Sequence, residues 1–426
     1  MLLIRNARII NAAGEVPGLK DILIEDGKVT RIGQGLTGAG SVVIDAAGKA
    51  VLPGFIDLHV HLREPGREDK ETIASGSRAA VKGGFTSIFA MPNTKPAMDT
   101  AQVVQFVFDQ AKKVGLVNVY PVGAITKNRG GEQLTEMMDL KRAGCLAVTD
   151  DGNAVMNAGL MRRALEYARM AELLVMQHCQ DPTLTGAGVM NESLVCTKLG
   201  LKGDPTVAET VIVARDIELA HYLGAAVHFM HISTARSVEL IRRAKNEGLK
   251  VTAEAAPHHF SLTDEAVKGF DTATKVAPPL RSARDVAAIK EGLKDGTIDC
   301  IATDHAPHTQ EDKELDFDAA PPGLIGLETA FGLVMKELVI PGILTLPQAV
   351  DKLSAAPARI IGLTGKGVIA EGRDADIVIM DLEKEWLVRR DDFVSKSKNS
   401  PFIGWILKGC VDTTICGGKV VYQDVH

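Results

Sequence analysis

Between Val51 and Thr303 the chain returns repeatedly to short, near-continuous apolar runs separated by segments of helical spacing, and this alternation constrains its fold more than any other feature. Runs that are apolar on both faces fit parallel strands covered by helices on both sides. The expected strands span residues 55–62, 86–91, 117–123, 145–149, 173–178, 226–231, 250–255 and 298–303. Eight is the number that closes a (β/α)8 barrel, the TIM-barrel architecture of the α/β class. Segments 68–82, 100–114, 156–171, 206–223, 233–246 and 283–294 carry the spacing of the covering helices, with Gly83-Gly84 and Gly115 as stop signals. Residues 328–338 and 346–353 read as the last helices of that layer.

The two ends of the chain follow a different rule. Residues 1–52 alternate apolar and polar between turn signals such as Asp26-Gly27 and Gly48, which reads as a small antiparallel sheet. Short alternating strands return after Gly367, at 376–381, 405–408, 413–416 and 419–422. The expected organisation is a composite β-sandwich domain made of residues 1–52 plus 365–426, with a catalytic barrel of residues 53–364 inserted between its halves.

Charge and cysteine content narrow the function classes. A net charge of −6 over 426 residues gives no electrostatic reason to expect nucleic acid or an anionic membrane as a partner. The six cysteines form no Cys-x-x-Cys, Arg5 and Arg8 interrupt the first apolar stretch where a signal peptide would need continuity, and no apolar run approaches a membrane span. The expected compartment is the reducing cytoplasm.

Chemistry gathers at the ends of the strands. His59 and His61 lie two apart at the end of the first strand, so both imidazoles point to one side and can grip one metal ion. Arg63 continues the alternation as a permanent cation beside that position. Asp150 and Asp151 end the fourth strand, His178 the fifth, His231 the sixth and Asp304 the eighth. Barrel enzymes keep their active sites at this edge. Taken singly, each residue has a plain structural role, because an aspartate caps a helix or starts a turn and a histidine bonds a carbonyl. Together, His59, His61, Asp151, His178, His231 and Asp304 suit zinc, manganese, cobalt, nickel or iron, and are too many ligands for one tetrahedral ion. Two ions are implied, and ions ~3.5–4 Å apart can hold a hydroxide between them. Asp151, midway round the barrel from the first strand, is the candidate bridge, whereas Asp150 reads as part of a turn.

These residues sit in motifs that resemble the amidohydrolase superfamily and, more narrowly, the dihydroorotases of the bacterial type with an aspartate at the bridging position. The likeness covers essentially the whole chain: Pro53-Gly-Phe-Ile-Asp-Leu-His-Val-His-Leu-Arg63, Met91-Pro-Asn93, Thr149-Asp-Asp-Gly152, Gln177-His-Cys179, His231-Ile-Ser233, Pro278-Pro-Leu-Arg281 and Ala302-Thr-Asp-His-Ala-Pro-His308. It implies two Zn2+ per subunit, one held by His59, His61 and Asp304, the other by His178 and His231, with Asp151 between them. It also implies substrate contacts from His61, Arg63, Asn93, Ala277, His308, Pro322 and Gly323, of which Arg63, Asn93 and His308 take a free carboxylate, and a catalytic proton shuttle in Asp304. The reaction implied is the reversible cyclisation of N-carbamoyl-L-aspartate to (S)-dihydroorotate in pyrimidine synthesis. The partners expected on the same ground are that small-molecule substrate, a second copy of the chain in a homodimer, and aspartate transcarbamoylase.

Two positions depart from the family pattern. Ala277 stands where relatives commonly have asparagine, and Pro322, which has no N–H to donate, stands where many have another residue. His258 and His259 are read as structural, His305 as a support for its neighbours, and His221, His228 and His426 as incidental. Residues 309–322 read as a charged surface loop able to close over the site. The nearest enzymatic rival is an allantoinase or hydantoinase, relatives that typically bridge with a carboxylated lysine where this chain has Asp151. The rival from another class is a non-catalytic scaffold for aspartate transcarbamoylase; such homologues usually lose metal ligands, and this chain keeps all six.

Overall fold

The computed structural model describes residues 1–38 and 40–424; His426 lies outside them. Eight parallel strands form a barrel: β1 (Phe55–Val60), β2 (Phe85–Ala90), β3 (Asn118–Pro121), β4 (Ala147–Val148), β5 (Leu174–Gln177), β6 (Val227–Phe229), β7 (Val251–Ala255) and β8 (Cys300–Ile301). The first three pair in order, as do the last five, and parallel bridges Gly123↔Val148 and Val60↔His305 close the circle. Several ladders stop short of the apolar run that predicts them. The residues beyond their C-terminal ends, among them His61, His178, His231 and Asp304, are thereby left on the rim.

Alternation along the strands sorts side chains into two layers. Ile88, Val119, Val148, Val175, Val227, Val251 and Ala253 pack outward in one cluster with helix residues such as Val104, Leu165, Ile241 and Leu293. Ile56, Leu58, Phe89, Ala147, Met176 and Cys300 form a separate inner cluster. By the same alternation, β6 and β7 turn three polar side chains inward, His228, Thr252 and Glu254. In β1 the alternation slips: Ile56 and Leu58 are inner, Val60 is outer, and the pairing with β2 shifts between Asp57 and Val60. Such a bulge re-aims the side chains beyond it, and here it turns His59 and His61 into the barrel mouth.

The covering helices are Ile73–Lys82, Ala101–Val114, Ala158–Met170, Val207–Leu223, Ala235–Asn246 and Ala283–Asp295. The first begins at Ile73, not at residue 68, because Thr72 caps it by accepting the Ser75 N–H. No described helix is long and apolar enough to cross a membrane.

Both ends of the chain contribute to one further sheet of nine strands. Ala50–Pro53 pairs antiparallel with Ile377–Leu387, which continues through Ile406–Cys416 to Lys419–Gln423. The segments expected at 405–408 and 413–416 are therefore one strand. Leu2–Asn11 bends at Asn6, whose φ is 53°, and its two halves serve the two layers of a β-sandwich. Ile4, Ile9, Ile22, Ile24, Val51, Ile377, Ile379 and Ile415 fill the space between them. The expectation of a purely antiparallel arrangement fails, since Val42–Asp45 and Ala50–Pro53 both run parallel to Leu2–Asn11. Lys28–Gly33 pairs beyond Lys20–Glu25 whereas Val42–Asp45 pairs on the other side of Leu2–Asn11, an order that alternation alone does not encode.

Candidate metal centre

Asp151, just beyond β4, lies between two histidine pairs. Its Oδ2 is 3.5 Å from His59 Nε2 and 3.6 Å from His61 Nε2, while its Oδ1 is 3.3 Å from His178 Nδ1 and 3.5 Å from His231 Nε2. Asp304 joins the first pair, with Oδ1 3.1 Å from His61 Nε2 and 3.5 Å from His59 Nε2. The six side chains expected to hold metal therefore converge. His59, His61 and Asp151, and again Asp151, His178 and His231, bring their ligand atoms within 4.8 Å of one another.

The donor set fits divalent ions on electrostatic grounds. His59 Nε2 is buried and, among the described residues, has no hydrogen-bond partner, a costly state that a cation in front of it would relieve. Burial opposes charge on His59, but Asp151 and Asp304 outweigh it and drive its pKa well above the usual value. Asp151 is held well below the ordinary carboxylate range despite burial, by the charge on His59 and by hydrogen bonds from His178 and His231. The local field asks for positive charge, and nitrogen and carboxylate ligands together suit a borderline divalent ion.

Neighbouring groups fix these side chains in place. His61 Nδ1 is 2.9 Å from Asn93 Oδ1, His178 Nε2 is 3.1 Å from Gln180 Oε1, and His59 Nδ1 is 3.0 Å from Glu254 Oε1. Asp57, fully buried in β1, accepts the N–H and hydroxyl of Thr303 at 3.0 and 2.5 Å and the N–H of His59 at 3.1 Å. That clamp sets Asp304 beside His59. Arg63, His231 and Asp304 sit at positive φ (62°, 34° and 49°), a strained conformation that surrounding contacts must hold.

A cavity of about 190 Å³ opens onto this centre. Every residue expected to touch substrate lines it: His61, Arg63, Asn93, Ala277, His308, Pro322 and Gly323. Arg63 donates from Nε to the Pro307 carbonyl at 3.2 Å, and burial lowers its pKa to about 10, so it stays charged at neutral pH. His308 lies 2.9 Å by Nε2 from the Pro322 carbonyl and 3.3 Å by Nδ1 from Lys70 Nζ. Pro322 therefore contributes an acceptor where it has no donor to give. Gly323 sits at φ 138°, and a Cβ there would come within 2.9 Å of Ala306, so no larger residue fits.

Other expectations divide. Asp150 opens the expected turn, its carbonyl accepting the Asn153 N–H at 2.8 Å, and its side chain ties that turn to Thr126, accepting the N–H at 2.9 Å and bonding the hydroxyl. His305 supports its neighbours through Glu71 at 3.3 Å and the Gly326 N–H at 3.2 Å. His259 bonds the Pro278 carbonyl at 3.0 Å, and neither it nor His258 lines the cavity. The loop 309–322 is pinned at the mouth: Asp312 pairs with Lys70 at 2.5 Å, and Lys313 donates to the carbonyls of Thr272 and Pro321. His228 is not incidental, since it is buried and lies 3.0 Å from Glu254. Sequence reasoning misses Glu254 and Asp57, although a carboxylate inside an otherwise apolar strand is a readable signal of both.

An eight-stranded barrel with histidines and aspartates converging at its C-terminal rim defines a metal-dependent amidohydrolase. Residues 161–422 match the model of the amidohydrolase family, and residues 48–237 match the dihydro-orotase-like model. The L-hydantoinase (dihydropyrimidinase) from Arthrobacter aurescens has a TM-score of 0.89 at 27% identity over 100% of this chain and 96% of its own. In sequence, 99% of this chain aligns with 99% of the dihydroorotase of Pelotomaculum thermopropionicum at 56% identity, and with 99% of that of Geobacter metallireducens at 52%. This chain belongs to the dihydroorotase family.

Proposed function

We propose that His59, His61 and Asp304 hold one zinc ion, that His178 and His231 hold a second, and that Asp151 spans the two. The enzyme is a cyclic amidohydrolase of pyrimidine biosynthesis that interconverts N-carbamoyl-L-aspartate and (S)-dihydroorotate. Divalent ions bound here supply Lewis acidity, lowering the pKa of water and polarising an amide carbonyl.

The chain's own residues do the rest. Arg63 presents a planar fork to the substrate's free carboxylate. Asn93 Oδ1 accepts the Nδ1–H of His61, which leaves the amide NH2 as a donor to the same group. His308 adds its Nε2–H, exchanging the Pro322 carbonyl for the substrate. In hydrolysis Asp304 takes the proton lost by the attacking water and delivers it to the ring nitrogen as the C–N bond breaks; in cyclisation it runs the same transfer backwards.

The observation that most supports this reading is Asp151, with one oxygen facing each histidine pair. Every side chain named comes from residues 53–364, so residues 1–52 and 365–426 act as support. We place the enzyme in the cytoplasm as a homodimer, with aspartate transcarbamoylase as a candidate partner, and solution mass measured with and without that protein decides the assembly. The direct test of function is metal analysis of purified protein combined with an ultraviolet assay on dihydroorotate, with allantoin and hydantoin as controls. Two zinc ions per chain and turnover of dihydroorotate alone are expected; equal turnover of hydantoin would defeat the assignment.

A further inference from the structure

We infer that Glu254 is a positioning residue, acting through His59 and itself held by His228, that makes the His59 half of the centre the tighter of the two metal positions. This rests on the two-ion reading above. Its starting point is the interior of the barrel, where β6 and β7 place His228, Thr252 and Glu254 beside apolar groups such as Met176 and Cys300. Polar side chains buried there are costly unless every hydrogen-bonding atom is used.

The network meets that condition with one consistent set of protons. The Thr252 hydroxyl lies 2.8 Å from His228 Nδ1 and donates to it, so His228 carries its proton on Nε2 and donates to Glu254 Oε2 at 3.0 Å. Glu254 Oε1 then accepts from His59 Nδ1 at 3.0 Å. This fixes His59 in the tautomer whose Nε2 lone pair faces Asp151 and Asp304, the direction a metal ligand needs. The other three histidines lack such a partner. His61 rests on the neutral amide of Asn93, His178 on that of Gln180, and His231 Nδ1 has none among the described residues. A carboxylate makes an imidazole a stronger ligand than an amide does, so the two halves of the centre are unequal by construction.

His228 and Glu254 with Cys300 also bring three ligand atoms together, within 4.8 Å. That trio is not a separate metal site: both nitrogens of His228 and both oxygens of Glu254 are already engaged, and burial raises the Cys300 thiol well above its usual pKa.

The test is titration of metal-free protein with Zn2+ against a chromophoric chelator, repeated with Co2+ to follow the visible ligand-field bands. Wild type should bind in two steps of different affinity. Glu254→Gln keeps the volume and removes the charge; it should weaken the tighter step ~10–100-fold, leave the weaker step in place, and alter the Co2+ spectrum of the first equivalent. His228→Gln, which leaves the carboxylate but removes its support, should shift the same step by less. If Glu254→Gln does not fold, His228→Gln carries the test alone. Unchanged affinities and spectrum in the variants that fold, or equal weakening of both steps, overturns the inference. Wild type that binds no metal instead removes the two-ion reading beneath it.

Discussion

Asp304 is assigned two tasks, ligand and proton shuttle, and Asp304→Asn separates them. Its Oδ1 lies 3.1 Å from His61 Nε2 and 3.5 Å from His59 Nε2, and it faces the cavity. Asp151 also reaches that cavity, but its two oxygens are committed to the histidine pairs, which leaves Asp304 as the carboxylate able to exchange a proton with substrate. Asparagine keeps the shape and one carbonyl oxygen for the metal but accepts no proton at neutral pH. Loss of general acid-base catalysis removes ~10²–10⁴ from kcat, about 2.7–5.4 kcal/mol of barrier. The assay is the ultraviolet change on ring opening of dihydroorotate, with metal content measured on the same sample. Expected are both metals retained and kcat lowered by that factor, whereas Asp304→Ala should also lose metal. The pH profile supplies a second check. Without metal, burial opposes ionisation of Asp304, but the charge on His59 and the hydrogen bond from His61 outweigh it and hold the carboxyl below its usual range; a divalent ion taking the place of the His59 proton would act in the same direction. The ionised form used in hydrolysis is therefore fully present at neutral pH, while the protonated form used in cyclisation falls about tenfold per pH unit. Cyclisation should slow as pH rises through neutrality and hydrolysis should not. Near-wild-type turnover by a fully metallated Asp304→Asn would refute the assignment and make His308 the next residue to test.

Arg63→Lys replaces a planar fork with a point charge and should cost ~1.5–3 kcal/mol of substrate affinity, a rise of tenfold or more in KM; unchanged kcat/KM would remove Arg63 from the substrate site. Asp57→Ala strands three buried donors, the N–H and hydroxyl of Thr303 and the N–H of His59, and should lower stability by on the order of 3 kcal/mol in urea unfolding. An unshifted unfolding midpoint would mean that the clamp between β1 and β8 contributes nothing.

The barrel is legible because buried parallel strands leave unbroken apolar runs, and the ligands are legible because histidines and aspartates stand where those runs end. What the sequence hides depends on partners far along the chain. Alternation says that His59 and His61 share a side, but counted from Ile56 and Leu58 it puts them outside the barrel; only the slip in pairing with β2 turns them in. The direction of Val42–Asp45 is invisible for the same reason, since a strand reads alike whichever way it runs. Lys70 and Asp312 are unremarkable apart and meet only when the loop 309–322 folds over the mouth. His228 escapes a reading of the sequence because a histidine inside a strand looks the same whether it is idle or part of a network.

The sandwich is assembled from the two ends of the chain, and this sets an order of events during synthesis. Pro53 pairs with Ile377, 324 residues later (377 − 53). At ~5–20 residues per second the ribosome delivers that partner about 16–65 s after the first strands emerge. Until then Ala50–Pro53 waits with one edge unpaired, the condition in which strands pair with the wrong chain. All eight barrel strands are synthesised in that interval, so the sandwich cannot be completed before they have emerged. A chain cut short before Ile377 would therefore carry every proposed metal ligand and still expose the edge that makes it aggregate.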